Sequence, residues 1–167
     1  MSSTSGPGAP RQRYTMVARV MRREVDGDPQ VRAPTAADAP AIAELMLAAY
    51  RGTIDDEGET PQETLDVVRR LFAGEFGAVL WNISEVTERA GRLVAATMCT
   101  VWQGRPFVAF MVTAPECKRQ GLARAGLTRA INRLAAAGDP LLRLVVTAGN
   151  TPAEMLYASL GFVAESA

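Results

Sequence analysis

Hydrophobic and polar residues alternate along this chain with two different periods, and each period predicts its own kind of element. Apolar residues recur every three or four positions from Ile42 to Ala49 and from Leu65 to Phe72, a spacing typical of amphipathic helices. Thr60 and Glu63 have the spacing of a capping box at the start of the second helix, and a glycine follows its end. We therefore predict two helices separated by a polar loop.

Segments rich in β-branched and aromatic residues follow the second helix. Their pattern predicts three antiparallel strands in a meander, over residues 78–87, 92–102 and 107–113, with glycine-containing turns between them. Farther along, residues 141–147 form a nearly continuous apolar run, which is typical of a strand buried on both faces.

A third helical pattern separates the last two of these strands. Leu127, Ile131 and Leu134 recur on the side predicted to face the core. Arg129 and Arg133 fall on the side predicted to face outward. A connection from strand to helix to strand is by default a right-handed parallel crossover.

The N-terminal 25 residues divide into two parts. Residues 1–13 are rich in Ser, Gly, Pro and Arg, and we expect them to be disordered. Residues 14–25 have the pattern of an extra strand that ends at a turn. We expect residues 14–167 to form a single domain, because a chain of 167 residues buries a substantial core without disulfides or metals.

Composition and charge argue against several functional classes. Lys plus Arg and Asp plus Glu both number 18, so no net charge attracts the chain to nucleic acid or to an anionic membrane. The chain has no histidine, and its two cysteines lack metal-ligand spacing, which argues against a metal site and against Ser-His or Cys-His catalysis. The sequence shows no signal peptide and no apolar run long enough to span a bilayer. We therefore expect a cytoplasmic protein.

The stretch from Phe107 to Arg124 is the strongest candidate for a functional site. An apolar strand stops at a proline, and a short basic turn from Lys118 to Gly121 then opens into the third helix. The first N–H groups of a helix lack partners within it, and the helix dipole adds positive charge there, so this turn is suited to binding a phosphate. The side chain of Arg119 adds a full charge.

Two motifs together resemble the GCN5-related N-acetyltransferase superfamily. That family's phosphate loop is written Gln/Arg-x-x-Gly-x-Gly/Ala, and here the turn reads Lys118-Arg119-Gln120-Gly121-Leu122-Ala123, with lysine in the first position. The second motif lies between Asn150 and Phe162 and includes Leu156-Tyr157 and Gly161-Phe162. The motifs stand in the family's order, and the resemblance covers roughly residues 31–162.

The resemblance implies an α/β (α+β) acyl-CoA N-acyltransferase fold. This fold has a mixed, mostly antiparallel central sheet that is splayed in the middle and flanked by about four helices. The resemblance also implies acetyl-CoA as cosubstrate, in the wedge between the 107–113 and 141–147 strands. Its pantetheine amides then bind backbone groups of Met111, Val112 and Thr113. Its pyrophosphate binds the phosphate loop and the start of the helix: Lys118, Arg119, Gln120, Gly121, Leu122, Ala123 and Arg124.

Three residues match positions with functional roles in the family. Tyr157 matches the general acid, and a phenol with a pKa near ~10 is a suitable proton donor to a thiolate near ~8.5. Alternatively, Tyr157 is only a half-buried helix residue with its hydroxyl in water. Asn150 matches a residue that contacts the pantetheine arm or orders that turn, and it is equally suited to be the N-cap of the last helix. A strand N–H, such as that of Val112, polarises the thioester carbonyl.

The acidic loop between the first two helices is a candidate acceptor site. Asp55, Asp56 and Glu57 cluster there. In the family this segment lines the acceptor site, so the resemblance implies that these carboxylates attract a cationic amine. The alternative is a solvated loop whose negative charge favours the N-terminus of the following helix. Neither interpretation assigns a general base.

The C-terminal end departs from the family pattern. Five residues follow Phe162, whereas relatives continue through one or two more strands that cover the far edge of the splayed sheet. An open edge exposes unpaired backbone groups, so we predict that the strand at 14–25 covers it. That strand comes from the same chain or from the partner in a homodimer.

Three functions are compatible with these features. The leading interpretation is an enzyme that transfers the acetyl group of acetyl-CoA directly to a primary amine of a small molecule or peptide. The alternative is an acyl-CoA-binding module or sensor without turnover. A third interpretation is an interaction surface for nucleic acid or protein on the basic helix from Arg124 to Arg133. The acceptor amine is not identified by any residue.

Overall fold

The computed structural model of the protein describes residues 11–166. The expected disorder of residues 1–10 lies outside this range. Residues 11–13, which the composition also assigned to the disordered segment, are ordered. The carbonyl of Gln12 accepts a hydrogen bond from the amide of Ala148 at 2.9 Å, and Arg13 begins the first strand.

The strands of the described residues form one seven-stranded sheet in the order β2-β3-β4-β5-β6-β1-β7. Neighbouring strands are antiparallel except β5 and β6, which are parallel. The predicted meander is therefore confirmed as β3-β4-β5. The strands are β1 (Arg13–Arg19), β2 (Val31–Arg32), β3 (Glu85–Arg89), β4 (Arg92–Trp102), β5 (Arg105–Thr113), β6 (Leu141–Thr147) and β7 (Val163–Ala164).

Four α-helices flank the sheet in the described part of the chain. They are α1 (Ala39–Tyr50), α2 (Pro61–Phe72), α3 (Leu122–Ala137) and α4 (Thr151–Ser159). The predicted capping box of α2 is confirmed, because the Thr60 hydroxyl accepts from the Glu63 amide at 3.2 Å and the Glu63 carboxylate accepts from the Thr60 amide at 2.8 Å. Between residues 11 and 166, no helix has the length and apolar character needed to cross a membrane.

Two apolar clusters hold these layers together. In the first, Ile42 of α1 and Val68 of α2 pack with Met98 of β4, and all three are fully buried. In the second, Leu127 of α3 packs with Leu144 of β6. Since side chains of a strand alternate between its two faces, α1 and α2 cover one face and α3 and α4 the other. The fold class expected from the motifs is confirmed: a mixed, mostly antiparallel sheet between helices.

The strand predicted over residues 78–87 is broken. Val79 forms a single bridge to β4, a turn begins at Trp81, and β3 begins only at Glu85. The Trp81 ring packs edge-on against Phe72 of α2, with 5.0 Å between ring centroids. The aromatic residue that suggested an extended strand therefore makes a contact with a helix instead.

The N-terminal strand is shorter than predicted, because β1 ends at Arg19 and not at Val25. It pairs with β6 along its whole length, and the short β7 pairs with its other edge. The far edge of the splayed sheet is thus covered by a strand of the same chain. Beyond β1 the chain runs to α3, where the amide of Arg23 donates to the Asn132 side chain at 2.8 Å.

The prediction that residues 141–147 are buried on both faces is wrong. Leu142, Leu144 and Val146 are at most 4% exposed on the face that packs against α3. Val145, on the opposite face, is 39% exposed. On that second face Thr147 is 5% exposed, so the face is covered at the end of the strand and open in its middle.

Two arginines predicted to face outward turn inward instead. Arg129 donates to the Glu85 carboxylate through Nε and Nη2 at 2.7–3.1 Å, and the Glu85 side chain is only 3% exposed. Arg133 reaches the same carboxylate at 3.0 Å and the carbonyl of Ile83 at 3.1 Å. Gly126 makes room for this contact, since a Cβ there would lie 2.6 Å from the Thr97 hydroxyl. Two of the arginines on this helix therefore share one buried carboxylate.

Candidate active site

A gap opens between the two parallel strands at the centre of the sheet. Strands β5 and β6 pair only where Phe107 meets Arg143 and Val108 meets Leu144. Beyond these pairs, neither the end of β5 nor the end of β6 has a partner across the gap. The sheet is therefore splayed towards the carboxyl ends of both strands, as the resemblance implied.

The register of β5 decides which backbone groups face this gap. Val112 lies opposite Ala96 of β4, and the amide of Ala114 donates to the carbonyl of Val94 at 2.8 Å. Because hydrogen-bonded pairs alternate along an antiparallel ladder, the N–H and C=O of Val112 point to β4. Those of Met111 and Thr113 point to the gap. Of the three predicted pantetheine-binding residues, Val112 is thus turned away, and its N–H is also unsuited to polarise a thioester carbonyl.

The phosphate loop joins β5 to α3 through two residues in the left-handed backbone region. Arg119 has a φ of 63° and Gly121 a φ of 76°. Gly121 occupies the N-cap of α3 and has no side chain to cap it. The first amide of α3 with a partner in the helix is that of Ala125, which donates to the Gly121 carbonyl at 2.9 Å. The amides at the start of the helix, from Leu122 onward, are therefore open to a ligand.

The caps of α2 and α4 underline this difference. Helix α2 is capped by the side chain of Thr60, and helix α4 by that of Asn150, which accepts from the Ala153 amide at 3.4 Å. A side-chain cap occupies the N–H groups that an anion needs. Glycine at the start of α3 leaves the groups exposed, and a Cβ at Gly121 would meet no protein atom within 4 Å.

The polar side chains of the loop bind different parts of the protein. Lys118 Nζ donates to the carbonyl of Ala49 at the end of α1, at 3.5 Å. Gln120 accepts from Arg89 at 2.9 Å. Arg124 donates to the Ser159 hydroxyl of α4 at 2.7 Å. The loop is therefore tied to α1, β3 and α4, and these contacts hold its backbone in place.

Two phenols approach the gap from opposite faces of the sheet. Tyr50, the last residue of α1, packs against the first apolar cluster, and Tyr157 of α4 packs against the second. Neither hydroxyl has a hydrogen-bond partner among residues 11–166. Burial and then the negative charge of Asp55 raise the pKa of Tyr157 to about 12. The same two causes, together with Tyr157 itself, raise the pKa of Tyr50.

Asp55 links the acidic loop to the elements beside the gap. Its carboxylate accepts from the Thr147 hydroxyl at the end of β6 at 2.7 Å, and from the Asn150 amide at 2.9 Å. Asn150 thus uses its oxygen to cap α4 and its nitrogen to hold Asp55. Both of its polar atoms are engaged, so its position favours the role of N-cap over that of a direct cofactor contact.

The other two acidic candidates, Asp56 and Glu57, bind neighbouring groups at the protein surface. Asp56 accepts from the amides of Gly52 and Gly58 at 2.8 and 3.0 Å, and these bonds lower its pKa. Glu57 pairs with Arg13 at 2.6 Å, with both side chains half exposed. Of the three carboxylates, only Asp55 lies beside the gap.

We expect the pKa values of the tyrosines to be raised above the usual phenol value of about 10. The sequence contains three: Tyr157, whose pKa is raised to about 12, Tyr50, whose pKa is raised by burial, and Tyr14, whose pKa is raised by its hydrogen bond to Glu154. Unfolded phenols ionise first, so the free energy of unfolding should fall as pH rises from about 10 to 12. Phenolate absorbance measured against pH checks this, and a titration curve of the folded protein that coincides with that of the urea-unfolded chain would contradict it.

Sequence reasoning missed Tyr50 as part of the site. It lies 107 positions before Tyr157, and no motif connects the two. The available signal was its place at the end of a helix, immediately before the acidic loop. The two phenols come together only in the folded protein, where α1 and α4 cover opposite faces of the sheet beside the same gap.

A mixed, mostly antiparallel sheet that is splayed between two parallel strands and flanked by helices is the acyl-CoA N-acyltransferase fold. The chain belongs to the acetyltransferase (GNAT) family, whose model matches residues 40–162. A search of curated proteins finds no match.

Solved structures agree with this assignment. A GNAT-family protein from Novosphingobium aromaticivorans is 26% identical, with a TM-score of 0.65 over 92% of this chain and 59% of that one. This chain therefore spans less than two thirds of that protein. The ribosomal-protein-S18-alanine N-acetyltransferase of Escherichia coli is 25% identical, with a TM-score of 0.63 over 81% and 78%. In fold alone, a Brucella melitensis family member solved with acetyl-CoA is similar, at 17% identity and a TM-score of 0.60 over 82% and 88%.

Proposed function

We propose that the chain is an N-acetyltransferase that passes the acetyl group of acetyl-CoA directly to a primary amine. The observation that carries this proposal is the gap between β5 and β6, with Tyr157 on one side and Asp55 on the other. The open N-terminus of α3 lies at the same end of the sheet. Together these supply a proton donor for the thiolate, an anion for the ammonium group of the acceptor and a turn for the pyrophosphate.

The cosubstrate site follows from the backbone geometry. Its pyrophosphate rests on the N–H groups from Leu122 to Arg124, which no side chain caps. Its pantetheine arm binds the backbone groups of Met111 and Thr113 that face the gap. The Brucella melitensis protein, which has the same fold, was solved with acetyl-CoA, and this supports acetyl-CoA as the ligand here.

The reaction then needs two proton movements. Acetyl-CoA supplies an activated thioester, and a strand N–H of Met111 or Thr113 donates to its carbonyl oxygen. Asp55 attracts the ammonium form of the acceptor, and the proton that leaves it passes to Asp55 or to water. As the C–N bond forms and the C–S bond breaks, Tyr157 gives its proton to the departing sulfur and recovers one from water.

The acceptor is a primary amine of a small molecule or a peptide. The Escherichia coli neighbour is named for an alanine of ribosomal protein S18, which is a peptide amine. The anion at the gap, Asp55, suits either class, because both carry an ammonium group at neutral pH.

We expect acetyl-CoA to raise the melting temperature. Ligand at about 100 times its dissociation constant adds roughly 2.7 kcal/mol of stability, a shift of about 5 to 10 °C for a domain of this size. Differential scanning fluorimetry with acetyl-CoA, and with CoA for comparison, measures it. The absence of a shift with both ligands would contradict the proposed cosubstrate site.

The two ends of α3 offer a matched pair of variants for this test. Gly121 and Gly138 both have positive φ, at 76° and 81°, and a Cβ at either meets no atom within 4 Å. Gly121→Ala and Gly138→Ala therefore carry the same backbone strain. We expect only Gly121→Ala to reduce the acetyl-CoA shift. Equal loss of the shift in both variants would contradict the placement of the pyrophosphate.

A further inference from the structure

The C-terminal end of α1 is anchored on both sides of the gap between β5 and β6. On the β5 side, the carbonyl of Ala49 accepts from Lys118 of the phosphate loop at 3.5 Å. On the β6 side, the carboxylate of Asp55, in the loop that follows α1, accepts from the Thr147 hydroxyl at 2.7 Å. Tyr50, the last residue of α1, is therefore held between the two strand ends that border the gap.

A short turn fixes the backbone of Tyr50. The Thr53 hydroxyl donates to the Tyr50 carbonyl at 2.7 Å and accepts from the Asp55 amide at 3.2 Å. The amide of Thr53 donates to the same carbonyl at 2.9 Å. These bonds join Tyr50 to the segment that carries Asp55, so the phenol extends from a fixed point beside the gap.

The hydroxyl of Tyr50 has no partner among residues 11–166, yet it is not enclosed. In that range, the polar side-chain atoms that are both buried and unpaired are Thr100 Oγ1 and Arg143 Nη1, and Tyr50 Oη is not one of them. Tyr50 Oη therefore retains accessible surface, although its ring packs against the first apolar cluster. A ligand in the gap can reach this hydroxyl.

The surroundings of Tyr50 keep its hydroxyl protonated. Burial, then the charges of Asp55, Tyr157 and Glu59, raise its pKa, and Arg13 acts in the opposite direction. The influence of Asp55 and Tyr157 agrees with a position beside both groups. Because the pKa lies above the usual phenol value of about 10, the hydroxyl is neutral at physiological pH. It offers its proton to an acceptor atom.

The chemistry of the reactants indicates which atom accepts this hydrogen bond. An ammonium group has three donors and no lone pair, so it cannot accept. Sulfur is a weak acceptor, and Tyr157 on the opposite face is the proposed donor to it. The thioester carbonyl oxygen is the remaining acceptor at the reacting centre. It is also the atom on which negative charge develops when the amine attacks.

We propose that the Tyr50 hydroxyl donates to the thioester carbonyl oxygen of acetyl-CoA and forms an oxyanion hole with a strand N–H of β5. This inference rests on the proposed acetyl transfer and adds a catalytic residue to it. As the amine nitrogen bonds to the carbonyl carbon, an electron pair moves to the oxygen, where both donors stabilise it. The nitrogen loses its proton to Asp55 or water. The C=O bond then re-forms, the C–S bond breaks and sulfur takes the proton of Tyr157, whereas Tyr50 keeps its own.

Infrared spectroscopy tests this contact without an acceptor amine. Acetyl-CoA labelled with ¹³C at the thioester carbonyl is bound to the full chain, and the labelled band is measured by difference. A hydrogen bond lowers the carbonyl stretching frequency, so Tyr50→Phe, which removes only the hydroxyl, should raise it. Tyr157→Phe should leave the band in place. Tyr14→Phe is the matched control and should also leave it, since Tyr14 already donates to Glu154 at 2.8 Å.

Calorimetric titration separates a contact with the acetyl group from a structural role. Tyr50→Phe should bind acetyl-CoA about fivefold more weakly, as for the loss of one hydrogen bond. Its affinity for CoA, which lacks the thioester carbonyl, should stay the same. With an amine that the chain acetylates, kcat should fall about tenfold, because the lost donor also stabilises the developing negative charge.

Three results would contradict the proposed contact. They are an unchanged carbonyl band in Tyr50→Phe, an equal shift of the band in Tyr157→Phe, and an equal loss of affinity for acetyl-CoA and CoA in Tyr50→Phe. Each would overturn the inference and leave the transferase proposal standing. Failure of the unmodified chain to bind either acetyl-CoA or CoA would overturn both.

Discussion

We expect Tyr157→Phe to lower kcat by about 100-fold, the lower end of the range for loss of a general acid. The substitution removes one hydroxyl and keeps the ring that packs against Phe162 at 5.9 Å between centroids. Affinity for acetyl-CoA should therefore stay the same. Because the pKa of Tyr157 is raised to about 12, the phenol is protonated at every pH from 6 to 10. Steady-state release of CoA, together with a titration of acetyl-CoA binding, measures both effects.

Two other tyrosines provide the controls for this prediction. Tyr14 donates to the Glu154 carboxylate at 2.8 Å and belongs to the sheet edge, so Tyr14→Phe should leave kcat within about twofold. Tyr50 approaches the gap from the opposite face of the sheet. A large loss of kcat in Tyr50→Phe with none in Tyr157→Phe would show that the proton donor is Tyr50, contrary to this account.

The largest expected effect on stability comes from Glu85→Ala. The Glu85 side chain is 3% exposed and lies against Arg129, which is 13% exposed, and against Arg133. Removing the shared anion leaves two cations close together, one of them nearly buried. Loss of one partner of a buried ion pair costs roughly 3 to 5 kcal/mol. Urea denaturation should therefore show a large drop in the free energy of unfolding.

Glu75→Ala is the matched control for this variant. Glu75 also pairs with an arginine, Arg70, at 2.7 Å, but both side chains are about half exposed. Surface pairs of this kind contribute little, so the urea midpoint should hardly change. A Glu85→Ala variant that is destabilised by less than about 1 kcal/mol would show that the two arginines find other partners or water.

The parts of the fold that local patterns determine were predictable. The capping box of Thr60 and Glu63, the meander and the crossover from β5 to β6 through α3 all follow from spacing within short stretches. The phosphate loop was predicted because a basic, glycine-containing turn stands between an apolar strand and a helical pattern. Each of these features depends on residues that are near neighbours along the chain.

The features that were mispredicted depend on distant partners. Arg129 looked like a solvent-facing residue because its partner, Glu85, lies 44 positions away. Trp81 looked like part of a strand, but its ring packs on α2. Residues 141–147 looked buried on both faces, because an apolar run does not reveal how far the helix layer extends. The pattern of side chains along the sequence indicates which environments a residue tolerates. The positions of these residues depend on the distant parts of the chain that the fold places beside them.

The site residues also divide into those that a local motif predicts and those whose position depends on distant contacts. Tyr157 was assigned from its motif, whereas the register that turns Val112 towards β4 emerged only once the strands were paired. The sequence placed Asp55 in a cluster of three carboxylates without distinguishing among them. The contacts with Thr147 and Asn150 single it out, because they connect the loop to the gap.

The most direct test of the central claim is isotopic transfer. Acetyl-CoA with a labelled acetyl group is incubated with the chain and a panel of peptide and small-molecule amines, and the products are analysed by mass spectrometry. We predict a labelled amide on at least one amine, formed in step with free CoA and lost in Tyr157→Phe. Binding of acetyl-CoA without labelled product from any amine would contradict the account and identify the chain as a binding module.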